Sequence, residues 1–351
     1  MTDARGVCAA VAVGLASMVR GANGVVDLGT LAVGSSRLER SLTNTAAAVS
    51  VVDARRIAES GALTIDAALA GVSGLDRQSH ALPGAGVKVD FRGMTPDFGS
   101  KSAVVVSEGR RLNEAFQGGV EFGQVPAWSV ERATVFKGPS SYAYGSGAMS
   151  GLIDLEMKSG RNRPPFGETR VAGGNYGTLE GFLGGGGQFD AFDAYALAGH
   201  VQTDGYRPRR RLPRLAWRAQ DFFANLGWAP DESDAFRFLT GYYHGRGNDR
   251  EGDRTARRSY QTGSWDHAWD ADRQNVLQLR AYTTREHSTY DIGPYRPPVS
   301  LFPIPLIARD YRLRTSGADL SETWRPREWA SLLLGGDFRR ERAVLRDSGG
   351  N

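Results

Sequence analysis

The most concentrated chemistry in this chain is a set of five arginines within nine positions, Tyr206-Arg-Pro-Arg-Arg-Arg-Leu-Pro-Arg214. A guanidinium offers a planar fork of donors to carboxylate or phosphate oxygens, and a cluster of them raises the local concentration of an anion. Three uses fit such a cluster: capture of an anionic ligand, contact with lipopolysaccharide phosphates, or plain solvation. Arg207, Arg209, Arg210 and Arg211 are the candidates for ligand capture. A second charged run, Gly245-Arg-Gly-Asn-Asp-Arg-Glu-Gly-Asp-Arg254, has acidic spacing faintly like a calcium loop. It lacks the terminal Glu that completes one, so no metal is assigned. Covalent chemistry has no residues to carry it: there is no Ser/His/Asp arrangement, phosphate loop or HExxH pattern, and the five histidines are scattered. The chain is expected to bind rather than to catalyse, without a cofactor.

Strands must position those arginines. From Glu168 onward, segments of about ten residues alternate apolar and polar, with turns between them. They are Thr169–Gly173, Thr178–Gly186, Phe192–Thr203, Gln220–Ala229, Ala235–Gly245, Ser259–Ala268, Asn275–Thr284, Leu306–Glu322 and Ala330–Val344. Phe236, Phe238 and Tyr242 lie opposite Arg237. In Asp193–Thr203, Tyr195, Leu197 and Val201 share one face, and Ala194, Ala198, His200 and Gln202 the other. This is the apolar-out, polar-in dyad of a transmembrane barrel, although a soluble sandwich alternates in the same way. The connections discriminate better. Phe189-Asp-Ala, Pro230–Asp234, Asp270–Arg273 and Pro326-Arg-Glu are short, whereas Asp204–Trp217, Arg246–Arg258 and Glu286–Pro305 are long and polar or proline-rich. Short turns alternating with long loops is the arrangement of an outer-membrane barrel. No later run approaches ~20 apolar residues, so any membrane crossing must be made by strands.

Composition agrees with many short strands and turns: 45 glycines and abundant aromatic residues in 351 positions. A net charge of +4, with its arginines in loops, argues against a nucleic-acid partner. Met1–Ala22, with Arg5, an apolar run from Gly6 to Val19 and the small pair Gly21-Ala22, reads as a secretory signal peptide. Cys8, the sole cysteine, falls inside it, which leaves no disulfide or cysteine metal site beyond residue 22.

Ahead of the strands lies a different texture. Ala47–Asp53 alternates like a strand. Asp53 can cap a short helix that Gly61 ends, and Thr64 can cap a second, with Ile57, Ile65, Leu69 and Leu75 facing a core. Val87–Gly93, Ala103–Ser107 and Val130–Phe136 read as strands of a small mixed sheet. The run from Val130 to Lys158, VERATVFKGPSSYAYGSGAMSGLIDLEMK, reads as strand, Gly/Ser turn, strand. It closely resembles the plug-domain signature of TonB-dependent outer-membrane receptors. Val87-Lys-Val-Asp-Phe-Arg-Gly93 and Ala103-Val-Val-Val-Ser-Glu-Gly-Arg-Arg-Leu-Asn113 resemble two further segments of that domain in the correct order, with Ser107-Glu108 where the family has Asp.

The resemblance implies an α+β plug domain followed by antiparallel transmembrane β-barrel strands, about nine in number and so a partial barrel. The expected organisation is a signal peptide at 1–22, an extended segment at 23–40, a plug at 41–160 and the partial barrel at 165–351. A short apolar tract in the extended segment resembles the TonB box, the peptide that adds as a strand to TonB. Its candidates are Asp27, Leu28, Thr30, Leu31 and Val33, against a simple first strand or frayed terminus. Plug loops of the family touch ligand, which makes Phe98, Asn113, Phe116 and Gln117 candidates; Phe98 and Phe116 could equally wedge the plug against the wall. The family also locks plug to barrel through charged pairs, which places Arg92, Glu131, Arg132 and Lys137 in that layer. Lys137 departs from the family's Arg and offers a point charge in place of a fork.

Nine strands cannot enclose a plug of ~130 residues, since a transporter of this family has a 22-stranded wall; the chain is therefore expected to be part of a larger receptor. That receptor would be a monomer in the outer membrane of a Gram-negative bacterium, contacting lipid and lipopolysaccharide. It would import a ferric siderophore or similar iron chelate, energised by TonB and its inner-membrane motor. The alternatives are a cobalamin or oligosaccharide importer, or a non-transporting surface protein.

Overall fold

The computed structural model describes residues 48–78, 88–91, 93, 103–113, 119–140, 147–206, 215–248, 252–292, 307–327 and 330–349. The N-terminal domain contains β1 (Ala48–Asp53), α1 (Ala54–Glu59), α2 (Ile65–Ala68), β2 (Leu75–Gln78), β3 (Lys88–Phe91), β4 (Ala103–Ser107), β5 (Arg110–Arg111), β6 (Val130–Lys137) and β7 (Gly151–Met157). Its five-stranded sheet runs β1-β6-β7-β4-β5, with β4 and β7 parallel and the other pairs antiparallel. β4 reads Ala-Val-Val-Val-Ser without alternation because all five of its residues are buried. Asp53 caps α1, its carboxylate accepting the Arg56 N–H at 2.8 Å, and Gly61 follows with φ +63°. Thr64 occupies the corresponding position at α2 without a side-chain capping bond. The segment around β3 is not part of the main sheet. β3 pairs with β2 in a separate two-stranded ribbon, and Phe91 folds onto the start of β7, where a Cβ at Gly151 would fall 2.6 Å from its ring.

The remainder is one antiparallel sheet of nine strands in sequence order: β8 (Phe166–Gly174), β9 (Thr178–Phe189), β10 (Phe192–Thr203), β11 (Trp217–Trp228), β12 (Asp234–Asn248), β13 (Gly252–Ala268), β14 (Val276–Ile292), β15 (Ile307–Arg327) and β16 (Ala330–Gly349). All nine segments expected from alternation are strands. They lengthen along the chain, from 9 residues in β8 to 21 in β15, well beyond the ~9–11 that cross a bilayer. This overturns the expected long loop at Arg246–Arg258, most of which is strand: β12 continues to Asn248 and β13 begins at Gly252. Alternation continues along the described residues of both strands, with Tyr243 and Ala256 buried, but the charged residues Arg246, Asp253 and Arg254 disguise it.

The two faces of the sheet differ sharply. Phe192, Trp228, Phe236 and Trp265 stand opposite one another on β10 to β13 at the short-turn end. They stack in sequence at centroid distances of 5.9, 5.2 and 6.3 Å. Phe192, Trp228 and Phe236, with Leu226, Phe238, Leu279, Leu320 and Phe338, are exposed and together with half-buried Trp265 form an apolar band, as at a membrane interface. Arg237 points to the other face, as expected. Tyr195, Leu197 and Val201 do not follow the apolar-out rule; each is at most 2 % exposed and faces the N-terminal domain. That face is apolar here because it is covered by protein. A single buried cluster runs from Val52, Ile57 and Leu69 through Trp128 to Tyr195, Leu197 and Phe223. The N-terminal domain is thus a plug whose core is continuous with the wall. Among the described residues no helix is long and apolar enough to cross a membrane, which bears only on helical spans.

Candidate functional site at the plug–wall interface

Between the plug and the inward face of the wall lies a chain of polar contacts that joins residues distant in sequence. The segment before β6 supplies three of them. Glu121 pairs with Arg254 of β13 at 2.9 Å, both side chains largely buried, and the Arg254 guanidinium lies 4.6 Å from the Tyr290 ring. Gln124 accepts a bond from Arg258 Nη1 at 2.8 Å. The Trp128 indole N–H donates to Asp221 at 3.2 Å while its ring stacks on Phe182 at 5.7 Å. Arg254, Ala256, Arg258 and Tyr260 share one face because strand side chains alternate, and that face is turned to the plug.

β5 supplies the next contact. Arg110 of the plug is buried, stacks 4.2 Å over the Tyr260 ring and donates to Thr284 Oγ1 at 3.2 Å. Burial pushes its guanidinium down to about 9, and the like charge of Arg258 acts in the same direction. Its Nε and that of Arg258 make no hydrogen bond within the described residues. The turn between β4 and β5 carries Glu108 in the left-handed region, φ +48°, where its carboxylate accepts the Met157 N–H at 2.8 Å; burial raises its pKa. Glu108 borders a polar cavity of about 320 Å³ at the short-turn end, lined also by Asp193, Arg237, Asp266 and Arg280. At the opposite edges of the wall, Arg170 of β8 donates to the Ala58 carbonyl and Arg339 of β16 to that of Asn113. The plug is therefore held across the full width of the sheet.

This layer differs from the one expected. Arg132 pairs with Glu156, directly opposite it on β7, inside the plug sheet. Lys137 reaches Ser73 at 3.2 Å, also within the plug. Glu131 bonds Arg163 in the short connection to β8, beside Lys158, which holds both oxygens of Glu168. The described members of the expected lock thus brace the plug and its junction, while the contacts with the wall are made by Arg110, Glu121, Gln124 and Trp128. The available sequence signal was Arg254 and Arg258, four apart on one strand face, but the loop assignment concealed it. Asn113 is 2 % exposed; its carbonyl oxygen accepts from Val105 N–H at 2.8 Å and its amide donates to Ala103 O at 3.0 Å. That side chain clamps β4. The other sequence candidates, Asp27, Leu28, Thr30, Leu31, Val33, Arg92, Phe98, Phe116, Gln117, Arg207, Arg209, Arg210 and Arg211, lie outside the described residues, as do the expected signal and extended segments. No group of three or more His, Cys, Asp or Glu side chains placed to hold a metal occurs among the described residues.

Comparison with known proteins agrees with this architecture. Residues 41–152 match the family model TonB-dependent Receptor Plug Domain. Over 210 residues the chain is 28 % identical to the vitamin B12 transporter BtuB of Vibrio vulnificus strain CMCP6, covering 57 % of this chain and 32 % of that protein. Among solved structures, the copper transporter OprC superposes with a TM-score of 0.71 at 20 % identity, covering 86 % of this chain and 47 % of OprC. The ferric yersiniabactin uptake receptor FyuA of Yersinia pestis gives 0.68 at 15 % identity, covering 90 % of this chain and 52 % of FyuA. The chain thus spans about a third of the length of the curated relative and about half that of the solved receptors. Residues 41–152 are thus a TonB-dependent receptor plug domain, followed by a nine-stranded antiparallel wall with the fold seen in the solved receptors.

Proposed function

We propose that the receptor to which this chain belongs imports a scarce solute across the outer membrane, its plug closing the lumen until TonB, engaged through Asp27–Val33, pulls it aside. The observation that carries this reading is the way the plug is held: beside the apolar core it shares with Tyr195, Leu197 and Phe223, Glu121–Arg254, Gln124–Arg258, Arg110–Thr284 and Trp128–Asp221 are single polar contacts on one face of the wall. Contacts of this kind are each worth a few kcal/mol at most and can be broken in turn by a directed force. The favoured solute is a ferric siderophore or similar iron chelate. Arg207, Arg209, Arg210 and Arg211 would draw an anionic chelate to the mouth, and a solved structure of similar fold is named as a ferric yersiniabactin receptor. Vitamin B12 is the second reading, favoured by the names of the curated relatives.

The test is uptake by cells that lack their own receptors and carry the full-length protein, supplied with radioactive ferric chelate or radioactive cobalamin. Iron accumulation is expected, with deletion of Asp27–Val33 abolishing uptake while surface binding persists. Accumulation of cobalt alone would install the second reading. Accumulation of neither, or uptake indifferent to the deletion, would remove the TonB-driven mechanism for these solutes.

A further inference from the structure

The plug meets different parts of the wall through different chemistry. Along β9 to β11 the contact is apolar and close. Trp128 stacks on Phe182 at 5.7 Å, a Cβ at Gly199 would fall 3.0 Å from the indole, and Tyr195, Leu197, Val201 and Phe223 belong to the buried cluster of the plug itself. The chain also ties the two domains together on this side, because β7 ends at Met157 and β8 begins at Phe166, with Lys158 holding Glu168 across the connection. On β13 and β14 the contacts are polar: Glu121–Arg254, Gln124–Arg258 and Arg110–Thr284, placed toward the middle and the long-loop end of those strands.

Nearer the short turns, the polar cavity of about 320 Å³ takes the place of contact. Thr262, Ser264 and Asp266 follow Tyr260 at every second position of β13 and so share its inward face, and Gln278 stands opposite Asp266 on β14. The Thr262 hydroxyl has no partner although the residue is 4 % exposed, and Ser264, Asp266 and Gln278 make no side-chain bond or ion pair among the described residues. Water in a cavity of this size satisfies such groups. Ser264 lies in register between Arg237 and Arg280, which pair on their far sides with Asp193 at 3.1 Å and Asp319 at 3.3 Å. The lining sets four carboxylates, Glu108, Glu156, Asp193 and Asp266, against three guanidiniums, Arg161, Arg237 and Arg280, so it traps neither a cationic nor an anionic solute. Parting an apolar contact costs free energy in proportion to its area, whereas polar groups beside water exchange one partner for another at small net cost. The wet side of the plug therefore separates before the apolar side.

We infer that the plug swings as a flap hinged at its connection to β8, an opening that rests on the import reading above. It keeps its apolar contact with β9 to β11, parts from β12 to β14, and lets the solute leave through this cavity once Arg110 lifts from Tyr260 and Thr284. The test places one cysteine at a time in the full-length receptor, with Cys8→Ser as background, in cells that carry TonB and are supplied with ferric chelate or cobalamin. Thr262, Val201 and Leu197 are 4 %, 2 % and 2 % exposed, so a charged methanethiosulfonate should modify a cysteine at any of them slowly at rest. During uptake Thr262→Cys should react about tenfold faster, since the reactivity of a buried group follows the population of the open state. Val201→Cys should not change, and Leu197→Cys provides the same reading if Val201→Cys does not fold. Deletion of Asp27–Val33 should abolish the rise at Thr262→Cys. Ser264→Trp, which fills the cavity from the wall, should reduce uptake while surface binding of the solute persists. Uptake without faster reaction at Thr262→Cys, or undiminished uptake by Ser264→Trp, overturns the inference; an equal rise at Val201→Cys or Leu197→Cys shows the plug leaving the wall as a whole and overturns it too. Entry of neither solute into cells with the unaltered receptor would instead refute the import reading beneath it.

Discussion

Removing Glu121 tests most directly whether the plug is held where the structure places it. Its carboxylate pairs with Arg254 at 2.9 Å, the side chains being 15 % and 11 % exposed, so Glu121→Ala strands a guanidinium in a nearly dry interface. Breaking a buried pair in this way costs ~3–5 kcal/mol, and partial exposure puts this one near ~3 kcal/mol, a shift of about 150-fold between docked and undocked plug. Trp128 provides the signal. It is the only tryptophan before residue 217, and undocking removes it from Phe182 and Asp221, which changes its emission. Urea titrations of detergent-solubilised protein should show a lowered midpoint for Glu121→Ala, whereas Lys137→Ala should change the free energy by less than ~0.5 kcal/mol, because Lys137 binds Ser73 within the plug. A double-mutant cycle of Glu121→Ala with Arg254→Ala should give a coupling of at least ~1.5 kcal/mol. Equal midpoints for Glu121→Ala and Lys137→Ala, or coupling below ~0.5 kcal/mol, would refute the assignment of this pair as a plug–wall contact.

Two further outcomes follow from the β4–β5 turn. Burial raises the pKa of Glu108, so its protonated form favours the folded state; the stability it provides is present below the ordinary glutamate range and lost as pH rises through the raised value. Glu108→Gln, which keeps an oxygen for the Met157 N–H, should therefore raise the urea midpoint at pH 8 and leave it unchanged near pH 4; a lower midpoint at pH 8 would contradict the burial argument. Gly109 has φ +72°, and a Cβ there would overlap the guanidinium of Arg280, which pairs with Asp319 at 3.3 Å. Gly109→Ala should cost ~2 kcal/mol from the left-handed backbone and the displaced arginine together, read as a lowered midpoint; unchanged stability would show that the turn adapts freely.

The plug signature was legible because its features are local. Gly138-Pro139 stops β6 at Lys137 and Gly151 opens β7, each boundary set by the residues at it. Asp53 capped its helix as its side chain allows. The barrel strands were legible for the same reason, since alternation is a property of adjacent residues. Which face of a strand meets lipid is not such a property. Tyr195, Leu197 and Val201 are apolar as a lipid-facing row would be, yet they face the plug, whose own core completes theirs.

The plug–wall contacts were beyond the reach of local pattern altogether. Trp128 meets Asp221 across 93 positions, Gln124 meets Arg258 across 134, and Arg110 meets Thr284 across 174. The amino-acid order alone determined the two kinds of element and the plug signature, because strand period, turn chemistry and caps depend on neighbours a few residues apart. Which arginines are covered by the plug and which are turned outward was decided only when nine strands were set in register, since a shift of one residue exchanges the two faces.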